Sequence, residues 1–169
     1  MAGHKGSDTD DFDDLLDADG ARRGAGDGDR PVIVVVDDDA GVRNALVTLF
    51  EDRYHVVACA EAQSGVDAVD EETCTVILDV KMKGHDGFWT CHEMRKKVPG
   101  VPVIFFSAYQ DLKDPFAIIN DHRPFGYITK DGSIERLVEA VDVAVRLQQM
   151  TVISKKLLKK MRQERGGRG

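Results

Sequence analysis

From Pro31 onward, unbroken apolar runs alternate with stretches whose apolar residues recur at helical spacing. Val32–Val36 is an apolar β-branched run, the pattern of a strand covered on both faces. Val42, Leu46, Leu49 and Phe50 then fall at i, i+4, i+7 and i+8, one face of a helix. "YHVVACA" predicts a second strand, followed by a helix with Ala62, Val66 and Val69 inward. "CTVILDV" predicts a third strand. Gly84 and Gly87 bracket a loop, and a helix runs from there to about Val98. "VPVIFFSA" predicts a fourth strand. Asp114-Pro115 has the cap-then-proline form of a helix start, giving a short helix to about Asp121. "FGYITKDG" predicts a fifth strand, and a long helix continues from Ser133 past Val145. Five strands alternating with five helices imply right-handed crossovers and an α/β, doubly wound parallel sheet.

In such sheets ligands bind beyond the carboxyl ends of the strands. The polar residues that stand out against the apolar strands are Asp37, Asp38, Asp79, Ser107 and Lys130, each at the end of its strand. The topology therefore gathers them on one rim. Clustered carboxylates repel and raise one another's pKa unless a cation offsets them. A lysine and a hard divalent ion would both do so, and magnesium takes a few carboxylates together with phosphate oxygens. No His–Cys grouping suits zinc, and His85, in a rim loop, reads as a surface residue. A hydroxyl, an ammonium and a cation around a carboxylate make a site for phosphoryl transfer, with the carboxylate as nucleophile.

Charge changes the picture at the two ends. The net charge of −7 argues against whole-protein nucleic-acid binding. Residues 1–30 carry a local balance of −5 and residues 154–169 one of +6, which leaves −8 between them. Residues 1–30, rich in Gly and Asp, read as a disordered acidic segment. Within it Phe12, Leu15 and Leu16 share one helical face and could dock on a partner, or form part of a solvated tail. Residues 31–150 hold the domain, and residues 151–169 a basic helical extension. Along that extension Val143, Leu147, Met150, Ser154, Leu157 and Met161 follow 4-3-4-3-4 spacing, a coiled-coil-like seam with one polar position. A helix folded on its own domain fits the same residues. Its basic end could meet a membrane, nucleic acid or the acidic residues 8–19 of the same or another chain. Cys59, Cys74 and Cys91 are spaced as core residues of a reduced chain. The acidic N-terminus and the lack of a membrane-length apolar run point to a cytoplasmic protein.

"VVVDDD", "ILDVKMKGHDG", "FFSA" and "YITK", in this order on these strands, resemble the response-regulator receiver domain of bacterial two-component signalling over about Val32–Gln148. The resemblance implies a flavodoxin-like sheet of order 2-1-3-4-5 and a role for each rim residue. Asp79 would be the phosphoacceptor. Asp37, Asp38, Asp79 and the backbone carbonyl of Lys81 would hold magnesium, with Asp37 acting largely through water. Ser107 and Lys130 would stabilise the phosphoryl group, and Tyr127 would turn inward when Ser107 moves. Asp39 would start the first helix without touching the metal. Partners would be a sensor histidine kinase or histidine phosphotransfer protein and a downstream protein target. Two copies could also pair through the fourth helix–fifth strand–fifth helix face or the C-terminal helix.

As a stand-alone receiver without a DNA-binding domain, the protein would catalyse only its own phosphotransfer and dephosphorylation. It departs from the family pattern where Lys83 and Asp131 replace prolines; Asp131 predicts a trans peptide after Lys130 and could draw that lysine aside. Lys81 and Tyr109 occupy positions that tune phosphate lifetime. Two alternatives stand beside this reading. One is a receiver fold used only as a phosphorylation-independent docking module. The other is a haloacid-dehalogenase-type phosphatase with Asp37 as nucleophile and Asp39 as acid, which leaves Asp79 unexplained.

Overall fold

The computed structural model describes residues 30–108, 118 and 121–166. The elements run β1 (Val32–Val36), α1 (Ala40–Phe50), β2 (His55–Cys59), α2 (Ala62–Ala68), β3 (Thr73–Leu78), α3 (Gly87–Lys97), β4 (Val103–Ser107), β5 (Gly126–Thr129) and α4 (Ile134–Gly166). All pairings are parallel, and the sheet order is β2-β1-β3-β4-β5. Both features agree with the sequence reading.

Period-two alternation sorts the strand residues onto two cores. Val34, Val36, Val76, Leu78, Val103 and Phe105 face Ala62, Cys91 and Met94 of α2 and α3. Ile33, Val35, Ile77, Ile104 and Phe106 face Leu46 and Phe50 of α1 and Leu137, Val141 and Ala144 of α4. β3, at the centre, is buried at every position. The three cysteines are buried, as expected, and burial pushes each thiol above its usual pKa.

The helices depart from expectation at Leu49 and Val69, and one expected helix falls where few residues are described. Four helices, rather than five, are regular among the described residues. The expected helix between β4 and β5 lies almost wholly outside them; Ile118, Asp121 and His122 are helical and Ile118 packs into the first core. Leu49 is 37% exposed, whereas Leu46 and Phe50, expected on the same face, are buried. Val69 is fully buried but caps the end of α2 in an extended conformation.

α4 runs unbroken for 33 residues. Leu137, Val141, Ala144 and Val145 are on its inner side, whereas Val143, Leu147, Met150 and Met161 are 42–63% exposed. No helix among the described residues is long and apolar enough to cross a membrane. Residues 1–29, with Phe12, Leu15 and Leu16, lie outside the described residues, as does Tyr109.

Candidate phosphoryl-transfer site

The parallel register brings the ends of β1, β3, β4 and β5 to one edge. The Asp79 N–H donates to the Val36 carbonyl at 2.9 Å, and the Lys130 N–H donates to the Ser107 carbonyl at 2.9 Å. Ladder bonds thus fix the residue that follows β3 and the one that follows β5. Asp37 and Asp79 are buried, at 2% and 5% exposure, Ser107 is fully buried, and Asp38 is exposed. One carboxylate oxygen from each of Asp37, Asp38 and Asp79 lies within 4.8 Å of the other two.

Each carboxylate has its own donors. Asp37 Oδ1 accepts from the Asp39 N–H at 2.9 Å, and Asp37 Oδ2 pairs with Lys130 Nζ at 2.7 Å. Asp79 Oδ1 accepts from Ser107 Oγ at 3.0 Å, and Asp79 Oδ2 pairs with Lys130 Nζ at 3.2 Å. Asp38 Oδ2 accepts from the Lys83 N–H at 3.2 Å. Burial pushes the Asp37 carboxyl above the usual value, against the hydrogen bonds it receives. Burial alone would draw Lys130 down, but the hydrogen bond and charge of Asp37 and the charge of Asp79 outweigh it and hold the ammonium up. Asp37 faces one ammonium and a like charge, whereas Lys130 faces two carboxylates, so the two directions are compatible.

The donor set fits a hard divalent cation. It consists of carboxylate oxygens, and three carboxylates against one ammonium leave an excess of negative charge for such an ion to offset.

Asp39 stands apart from this cluster. It caps α1, its Oδ1 accepting from the Gly41 and Val42 N–H groups at 2.7 and 3.1 Å, which lowers its pKa. That is the helix-start role expected of it, and it leaves the phosphatase alternative without its acid.

Tyr127 neighbours Phe105 across the β4–β5 ladder, with ring centroids 6.2 Å apart, and packs half-buried against the first core. Lys81 is exposed in the loop after Asp79. The Lys130–Asp131 peptide is trans, as expected, since the described residues contain no cis bond. The Lys130 ammonium lies in the cluster despite Asp131. His85 is exposed, as expected, and stacks on Trp89 with ring centroids 3.7 Å apart.

Three supporting groups escaped the sequence reading. Arg43 Nη1 donates to the Asp37 carbonyl at 2.7 Å and pins the β1–α1 turn. The Lys83 amide reaches Asp38. Gly87 gives α3 its close approach: a Cβ there would lie 2.2 Å from the Asp79 carbonyl oxygen. Gly87 had left a trace in the sequence as the end of a loop, and position 83 only as a lysine in place of proline.

Residues 33–142 match the response regulator receiver domain. The transcriptional regulatory protein GlrR of Escherichia coli (strain K12) is 29% identical over 115 residues, covering 67% of this chain and 26% of GlrR. The DNA-binding transcriptional regulator NtrC of Klebsiella pneumoniae is 30% identical over 120 residues, covering 69% of this chain and 25% of NtrC. The chain thus spans about a quarter of the length of these curated relatives. Among solved structures, a receiver domain protein from Clostridium thermocellum superposes with a TM-score of 0.64 at 23% identity, covering 71% of this chain and 98% of that one. The adenylate cyclase from Rhodopirellula baltica gives 0.68 at 20% identity, covering 78% and 98%. At such identities these two likenesses show the fold alone. With the fold, the rim cluster and the match over residues 33–142 in agreement, the chain belongs to the response regulator receiver domain family.

Proposed function

We propose that this receiver is a phosphorylation switch with Asp79 as phosphoacceptor. The observation that carries the reading is the grip on the Asp79 side chain, with Ser107 Oγ on one oxygen and Lys130 Nζ near the other. Asp37, Asp38, Asp79 and the backbone carbonyl of Lys81 would hold a magnesium ion, which when bound supplies positive charge to phosphoryl oxygens. An Asp79 oxygen attacks the phosphorus of a phosphohistidine on a sensor kinase or phosphotransfer protein. The P–N bond breaks, and the imidazole nitrogen keeps the electron pair. Asp79 becomes an acyl phosphate, and attack by water later restores the carboxylate and releases phosphate. Lys130 neutralises charge on the incoming group, and Ser107 donates its hydroxyl hydrogen to it.

Once Ser107 turns from Asp79 to a phosphoryl oxygen, the space beside Phe105 changes and Tyr127 follows. Phosphate thereby biases two conformations of the surface around β5 and α4. Output runs through a downstream protein, or through pairing of two copies along the outward face of α4, where Val143, Leu147, Met150 and Met161 are exposed. The docking-only alternative drew on the altered loops at Lys83 and Asp131; against it stands the Lys130 ammonium, which lies beside Asp79 despite Asp131.

The test is the amide spectrum of the protein in magnesium with beryllofluoride, a phosphoryl mimic. Ser107, Tyr127 and Lys130 should shift in the wild type and stay in place in Asp79→Asn. An unchanged wild-type spectrum would overturn the switch.

A further inference from the structure

The three rim carboxylates are not oriented by the same means. Asp37 and Asp79 are buried and share the Lys130 ammonium. Asp38 is exposed, so packing does little to fix its χ angles, yet its Oδ2 accepts the Lys83 backbone N–H at 3.2 Å. The loop that presents this amide is itself anchored. Val80 and Met82 are buried in the first core, on either side of exposed Lys81. Gly84, at φ +83°, turns the chain directly after Lys83. The Gly87 N–H closes the loop on the Val80 carbonyl at 2.8 Å.

We propose that the Lys83 backbone amide is a positioning group for the cation site. By holding Asp38 Oδ2 it restricts the rotation of this carboxylate and leaves the other oxygen available to the ion. The contribution of position 83 is its N–H and not its ammonium. The family pattern has proline at this position, which carries no N–H, so the hydrogen bond is a feature of this chain added to the shared cation site: proline removes it and alanine keeps it. Outer hydrogen bonds of this kind affect metal affinity by about 10–100-fold. An exposed carboxylate with a 3.2 Å bond belongs at the lower end of that range.

The inference rests on the proposed cation site, and the test separates the two. Magnesium binding to the full chain is measured by calorimetry for wild type, Lys83→Ala and Lys83→Pro. Lys83→Ala should bind within about twofold of wild type and Lys83→Pro about tenfold more weakly. Equal affinities for the two variants would overturn the positioning role while leaving the cation site standing. Absence of binding to wild type would overturn the cation site itself. A second measurement does not depend on the proline variant folding. The Lys83 amide should exchange slowly in wild type, shift on adding magnesium, and lose its protection in Asp38→Ala. Protection unchanged in Asp38→Ala would overturn the proposal.

Discussion

At the scale of single residues, Lys130 keeps the rim stable. Its ammonium stands 2.7 Å from Asp37 and 3.2 Å from Asp79, both buried, while the lysine itself is 23% exposed. Lys130→Met leaves two neighbouring carboxylates without their counter-charge. Discounted for its partial exposure, the loss should be about 1–3 kcal/mol in urea unfolding at neutral pH. Magnesium should restore part of it by binding only the folded form. An unfolding midpoint equal to wild type would show that the pair contributes nothing. The acidic rim was legible because carboxylates at the ends of apolar strands are conspicuous. The Lys83 amide was not, because every residue but proline carries an N–H and only the folded loop aims it. Arg43 was hidden for a related reason: its partner is a carbonyl oxygen.

At the scale of elements, two contacts deserve measurement. α3 starts where the backbone of Asp79 passes so closely that a Cβ on Gly87 would meet backbone atoms, which cannot yield as a flexible side chain can. Gly87→Ala should cost about 1–3 kcal/mol and disturb the Asp79 loop, lowering stability and magnesium affinity together. The turn between α1 and β2 is joined to α4 by the Tyr54 hydroxyl, which donates to Asp142 Oδ1 at 2.7 Å, and by Arg53 Nη1 on Oδ2 at 2.9 Å. Burial, then the hydrogen bond and charge of Asp142, raises the Tyr54 pKa far above its usual value of 10.0. With the folded pKa above the unfolded one, the folded state keeps a proton that the unfolded state releases. The stabilisation is complete below pH 10 and is lost as pH rises towards the folded pKa, by up to about 1.4 kcal/mol per pH unit. Tyr54→Phe should cost about 1 kcal/mol at neutral pH and flatten this alkaline decline. An alkaline limb identical to wild type would show that Tyr54 does not cause it. Strands were the most legible elements because their apolar runs are short and bounded. Helix faces were less so: Leu49 keeps helical spacing yet stays exposed beside buried Leu46 and Phe50.

At the scale of the whole molecule, the proposed switch rests on two features, the acidic rim and the apolar outward face of α4. If two copies pair along α4, Leu147→Asp with Met150→Asp should abolish a dimer in sedimentation while the far-ultraviolet spectrum stays native. A wild-type monomer at every concentration, with and without beryllofluoride, would exclude pairing and leave a different protein as the target. The parallel sheet and its order were legible because strand–helix alternation admits few topologies. The covering of α4 was not, since the 4-3-4-3-4 spacing suits both a partner helix and the chain's own core. The structure separates these uses: Leu137, Val141 and Ala144 face inward, and Val143, Leu147 and Met150 face out.

The central claim is phosphorylation of Asp79, and the most direct measurement traps it. The full chain is incubated with magnesium and acetyl phosphate, or with a phosphorylated histidine donor, then reduced with borohydride, which converts an aspartyl phosphate to homoserine, and mapped by peptide mass spectrometry. The account predicts homoserine at position 79, dependent on magnesium and absent from Asp79→Asn. Homoserine at Asp37 or Asp38 instead, or at no position with either donor, would contradict it.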